Sequence, residues 1–206
     1  MSNYYGKFYG YTGLFPILDD TEDRVHKVAL RKLLAELPLG RGSLFSRTGL
    51  VHGARLFIID DVVYNGHPTP EEHLQYSYLL LSMTFDGELA PLAEKLTAAG
   101  GNEWQSVFSH CHGFDSNAPH TGQSVLDYLQ KGQITTSFLY VDADGNLDRT
   151  LRALILQKEI GLLVEKAQSL DTPTRKQLVL ELAARMRALP PPEPGDFMPI
   201  MEDNRI

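Results

Sequence analysis

The chain reads as an α+β fold, an antiparallel sheet with helices on one face, followed by a helical extension. Three observations predict it. Two long apolar runs of strand character, Val51 to Ile59 and Tyr76 to Phe85, follow one another with only a polar stretch between them. Each is separated from a further strand-like run by a segment whose apolar residues recur at helical spacing. The last third of the chain carries helical periodicity alone.

Taken in order, residues 4–11 (YYGKFYGY) are rich in aromatics and poor in helix formers, which predicts a strand. The alternating Tyr4, Tyr5, Tyr9 and Tyr11 are packing residues or the lining of a cavity. Thr21 suits a helix N-cap with Glu22 and Asp23 in the first turn. Leu30, Leu33, Leu34 and Leu37 then recur at helical spacing until Pro38 and Gly40, with His26 on the same apolar face. The run from Val51 to Ile59 is apolar on both faces apart from His52 and Arg55 and predicts a central strand. In the next strand Leu79, Leu81, Met83 and Phe85 share one face, while Tyr78, Leu80, Ser82 and Thr84 share the other. After the Asp86-Gly87 turn, Leu89, Leu92, Ala93 and Leu96 mark a helix up to Gly100-Gly101. Trp104, Val107, Phe108 and Cys111 mark a second helical segment. A fourth strand is expected over 134–141, closed by the turn Asp142-Ala143-Asp144-Gly145-Asn146. That turn spaces its acids like the start of a calcium loop, but its glycine is two positions early. The order βαββαβ is the ferredoxin-like pattern. Two helical stripes follow, one from Leu147 to Leu170 and one on Leu178, Leu182, Met186 and Leu189 after Thr172-Pro173. Expected boundaries are 1–145 for the core, 146–189 for the C-terminal helices and 190–206 for a Pro-rich extended tail.

Composition excludes several classes of function. The chain has 206 residues, 43% hydrophobic and 22% charged, enough for one sizeable core. A net charge of −7 with 19 scattered Lys and Arg gives no electrostatic footprint for nucleic acid. No run approaches the ~20 apolar residues that span a bilayer, and the N-terminus has no signal-peptide pattern. The single cysteine, Cys111, excludes an intrachain disulfide and suits a cytoplasmic location. Within its apolar stripe it is a buried small hydrophobe; a nucleophilic thiol would need a basic, exposed setting.

Three stretches, HGARLFIIDD at 52–61, LLLSMTFDG at 79–87 and HCHGFD at 110–115, resemble a group of bacterial proteins distantly akin to the dye-decolourising peroxidases. The likeness spans roughly residues 51–170. It implies a ferredoxin-like or dimeric α+β-barrel fold and peroxidase- or oxygenase-like chemistry with haem as cofactor. Where those peroxidases carry Gly-x-x-Asp-Gly, this chain has Met83-Thr84-Phe85-Asp86-Gly87 or Val141-Asp142-Ala143-Asp144-Gly145, each without the leading glycine. No histidine is singled out as the haem ligand.

Among candidate site residues Arg55 stands out, because a guanidinium within an apolar strand needs a partner. Either a carboxylate such as Asp60, Asp61 or Asp86 or an anionic ligand would serve. Strict alternation places His52 on the opposite side of the strand from Arg55. His110 and His112 flank Cys111; a metal shared between them requires the helix to end first, and otherwise they are solvated or helix-terminal histidines. His67 and His73 bracket a Thr69-to-Glu72 capping pattern that predicts a short helix in a loop, and loops at sheet ends often carry acid/base residues.

A four-stranded sheet with helices on one face must cover the other. The mixed face, with Tyr78, Ser82, Thr84, Thr136, Phe138 and Tyr140, is too apolar to be left wet. Either a second copy covers it, giving a homodimer with an interior cavity, or the C-terminal helices fold back across it. The expected function is an enzyme for a small, largely apolar molecule held at that face. Arg55, Tyr78, Ser82 and Tyr140 would contact ligand, and His67, His73 or His112 would transfer protons. The alternative is a non-catalytic binding or assembly module.

Overall fold

Alternation along Tyr78 to Asp86 governs the first layer: Leu79, Leu81, Met83 and Phe85 are buried, and each residue between them is half-buried. The structure, a computed structural model, describes residues 3–18, 24–141 and 145–192. The chain forms two compact units, residues 1–142 and 143–206.

The first unit is α+β, built on a four-stranded antiparallel sheet. Its strands are β1 (Tyr4–Tyr5), β2 (Phe8–Pro16), β3 (Val51–Ile59) and β4 (Tyr78–Asp86), in the order β1-β2-β4-β3. Pairing is long and regular from Phe8 opposite Asp86 to Pro16 opposite Tyr78, and from Gly53 opposite Thr84 to Ile59 opposite Tyr78. On the core face Tyr11 and Phe15 of β2 join the buried β4 residues. Beneath them pack α1 (Val25–Glu36), the short α2 (Leu44–Arg47), α3 (Leu89–Phe108) and α4 (Gly122–Gly132). Leu92, Leu96, Trp104, Phe108 and Leu129 are almost fully buried there. The Tyr11 hydroxyl donates to the Leu129 carbonyl at 2.8 Å, tying β2 to α4. The two helical segments read on either side of Gly100 are one helix, α3, kinked where Gly100 adopts φ −170° and ψ 50°. A Cβ at that position would run into Leu44 and Arg47 of α2. Thr121 and Ser124 close a capping box at the start of α4.

Several expectations are corrected. Residues 134–141 form no strand. The edge of β2 that they were expected to extend is already occupied: β1 pairs with Phe8 and Tyr9, and the Gly10 amide donates to the Asn3 carbonyl. What remains is one bridge, Gly13 to Gln133, and one further bond, from the Ile134 amide to the Thr12 carbonyl. The Thr136 amide is satisfied by the Asn3 side chain instead of a ladder. Strand β3, expected at the centre, is an edge strand, since among the described residues only β4 pairs with it. Residues 69–77 contain no helix. In α1 the buried residues are Lys27 and Leu30, and His26 is half-buried. The Thr21 cap, most of the 142–146 turn and the tail beyond residue 192 lie outside the described residues.

The second unit is a helical hairpin of α5 (Leu147–Ala167) and α6 (Thr172–Arg187). The Asn146 side chain accepts from the Arg149 amide at the start of α5, and Pro173 stands in the first turn of α6. Leu178, Leu182, Met186 and Leu189 are half-buried, and no residue of α6 is buried. Among the described residues no helix is long and apolar enough to cross a membrane.

Candidate functional site on the second face of the sheet

An edge strand keeps its register only until an extra residue is inserted. Val51 faces Phe85 but Gly53 faces Thr84, so β3 spends two steps where β4 spends one. The extra residue of this bulge is His52. Beyond it alternation resumes with Arg55 opposite Ser82, Phe57 opposite Leu80 and Ile59 opposite Tyr78. The bulge overturns the prediction that His52 and Arg55 point to opposite sides. His52 Nε2 meets Asp86 Oδ1 at 2.9 Å, and its ring stands edge-on to Phe8, 5.0 Å between centroids. Phe8 faces Asp86 in the ladder, so His52, Asp86, Ser82 and Arg55 share the sheet face turned away from the main core.

The pair is shielded, with side chains only 17% and 15% exposed for His52 and Asp86. A carboxylate holding one imidazole nitrogen fixes the ring's orientation and tautomer, the usual arrangement of a positioned acid/base histidine. Around it the face is mixed: Thr12, Leu14, Tyr78, Leu80, Ser82 and Thr84 are half-buried, and Phe57 is 39% exposed. Arg55 is exposed, its guanidinium 5.5 Å from the centre of the Phe57 ring. An edge strand lets a cation reach water, so the buried carboxylate partner expected for Arg55 is not required.

The other predicted residues are placed elsewhere. Tyr140 is exposed, outside any strand, with its ring edge-on to Tyr5 at 5.4 Å. His67, His73 and His112 belong to the opposite end of the sheet, where the 60–77 connection leaves β3 and where Cys111 bridges to Ile17. Strand rise puts that end about 20–25 Å from His52. His73 is exposed and bonds through Nδ1 to Asp61 Oδ2 at 2.8 Å. This bond raises the His73 pKa, while the Leu74 amide, His73 and the Val62 amide bring Asp61 down to about 2. His112 stacks edge-on with Tyr76, 5.1 Å between centroids.

The same end holds a cluster that sequence reasoning missed. Lys27, 7% exposed, reaches Asp60 at 3.2 Å and the Ser77 hydroxyl at 3.1 Å. Arg31 also pairs with Asp60 and, with Lys27 adding, holds that carboxylate below its ordinary value. His26, next to Lys27 in sequence, meets His110 from the distant 109–113 segment, Nδ1 to Nδ1 at 3.0 Å. The sequence signal for Lys27 was its i, i+3 relation to Leu30. Among the described residues no three His, Cys, Asp or Glu side chains are grouped to hold a metal. Cys111 is buried, and desolvation pushes its thiol up to about 12.

No protein-family model matches the chain, and neither a curated protein nor a solved structure is significantly similar to it.

Proposed function

We propose that this protein binds a small, largely apolar molecule carrying an anionic group on the second face of the sheet and performs proton-transfer chemistry on it. The observation that carries the reading is the β3 bulge, which turns His52 onto the face of Arg55 and into hydrogen-bond contact with Asp86. In this reading His52 is the acid/base group and Asp86 orients it. Arg55 anchors a carboxylate or phosphate in the forked geometry a guanidinium favours. Phe57, Leu80 and Tyr78 take the apolar body, and Ser82, opposite Arg55, supplies a hydroxyl.

The proposal includes a ferredoxin-like topology. Supporting it are the order β2-β4-β3, the helix-bearing crossover from β2 to β3, and the bridge of Gly13 to Gln133 where a fourth strand would lie. It also includes action as a homodimer in a reducing, cytoplasmic setting, which suits a chain whose one cysteine is buried.

The test is a titration of the full chain with a panel of aromatic and short-chain fatty carboxylates and phosphates, followed by backbone amide NMR. Shifts concentrated on β2, β3 and β4 around Arg55, and lost in Arg55→Ala without change elsewhere in the spectrum, support the reading. Saturable shifts confined to the 60–77 connection, or none with any member of the panel, overturn it. For the peroxidase-like version implied by resemblance, the test is haemin titration: a stoichiometric Soret band supports it, and the absence of one overturns it.

A further inference from the structure

We infer that the α5–α6 hairpin is the surface by which two copies of this chain associate, each hairpin laying its interhelical groove against that of the other. Two helices alone cannot enclose an apolar face, and this pair leaves one open. No residue of α6 is buried, and Leu162, on the groove, is 45% exposed. The groove has a volume of about 410 Å³. Its α5 wall is a stripe at i, i+3, i+4 and i+7: Glu159, Leu162, Leu163 and Lys166. Its α6 wall follows the same spacing from Leu178 to Arg185.

The order of charges identifies the occupant. Along α5 the groove reads acid, leucine, leucine, base. A two-fold axis crossing the helix between Leu162 and Leu163 runs the second α5 antiparallel to the first. Each Glu159 then faces Lys166 of the second copy, with the leucines meeting at the axis. The ion pair of Arg185 with Glu159 sets the level of α6 against α5. Four residues further along each helix toward the axis lie Leu163 and Glu181, so the same axis passes close to Glu181 and Leu182 of α6. Glu181 then comes within one turn of Arg185 of the second copy. The two hairpins together make a four-helix arrangement with one leucine-rich interior. The residues of this interface all belong to the second unit, so the inference stands whether or not the second face of the sheet binds a ligand.

Sedimentation equilibrium of the full chain tests it. The wild-type chain is expected to be a dimer with a dissociation constant of roughly micromolar order. Leu162→Glu, at an exposed helical position, is expected to leave a monomer. Lys166→Glu sets like charges face to face twice and is expected to weaken the dimer about tenfold or more, with helical circular dichroism unchanged. A chain that stays monomeric up to about 100 μM overturns the inference, and so does a dimer whose strength neither substitution alters. If Leu162→Glu loses helix content, Lys166→Glu alone decides.

Discussion

His52 is the second residue of β3 and Asp86 the last of β4, and the register of the two strands brings them together. Removing the acceptor leaves a shielded imidazole short of its bond, so Asp86→Ala is expected to cost about 1–3 kcal/mol in urea unfolding. An exposed pair behaves differently. The His73 pKa is raised by Asp61, and the Asp61 pKa is lowered in turn. A raised histidine contributes stability below its ordinary 6.5 and loses it as pH rises through its folded value. A lowered carboxylate contributes above its ordinary 3.8 and loses it as pH falls toward about 2. The pair therefore works fully only between those two ordinary values. Asp61→Asn is expected to bring the His73 titration midpoint, read by the ring Cε1–H resonance, back toward 6.5. Cys111, with its thiol pushed up to about 12, is expected to resist thiol reagents at pH 8 until the protein is denatured. Prompt labelling of the native protein would refute its burial. The buried cysteine was legible in sequence because its apolar stripe is local. The partner of His52 was not, because strict alternation carries no sign of a bulge.

At the scale of elements, close approach decides what each segment tolerates. Gly132 at the end of α4 lies against the Phe15 ring, and a Cβ there would collide with that ring. Phe15 is 2% exposed and stacks on Tyr128 at 5.0 Å between centroids, so it has no room to yield. Gly132→Ala is expected to destabilise by about 1–3 kcal/mol in spite of the better helix propensity of alanine. A stabilised variant in chemical denaturation would show that the ring moves aside. The strands β3 and β4 and the helix α3 were readable because their apolar periods run nine residues or longer. Residues 134–141 misled because β propensity describes fitness for a sheet, and a strand also needs a free edge. Asn3 and β1, distant in sequence, had taken that edge.

At the scale of the whole molecule, the two units hold their apolar residues very differently. The first buries Trp104 at 2% exposure among Phe108, Leu92 and Leu96, while α6 buries nothing. Unfolding is therefore expected in two stages: helical signal at 222 nm falls first, and fluorescence of Trp104, the chain's one tryptophan, changes later. Coincident transitions by both probes would show that the units unfold as one. By itself the sequence determined the α+β class, the two core strands, the buried face of β4 and the helical character of the C-terminal third. Each of these rests on local periodicity, set by 2.0 or 3.6 residues per turn. Only the tertiary structure decided that β3 is an edge, that Arg55 can stand in water, that Lys27 is buried against Asp60 and Ser77, and that a bulge turns His52 toward Asp86. Those outcomes depend on which strands pair and where the register slips, and such long-range choices leave no period in the chain.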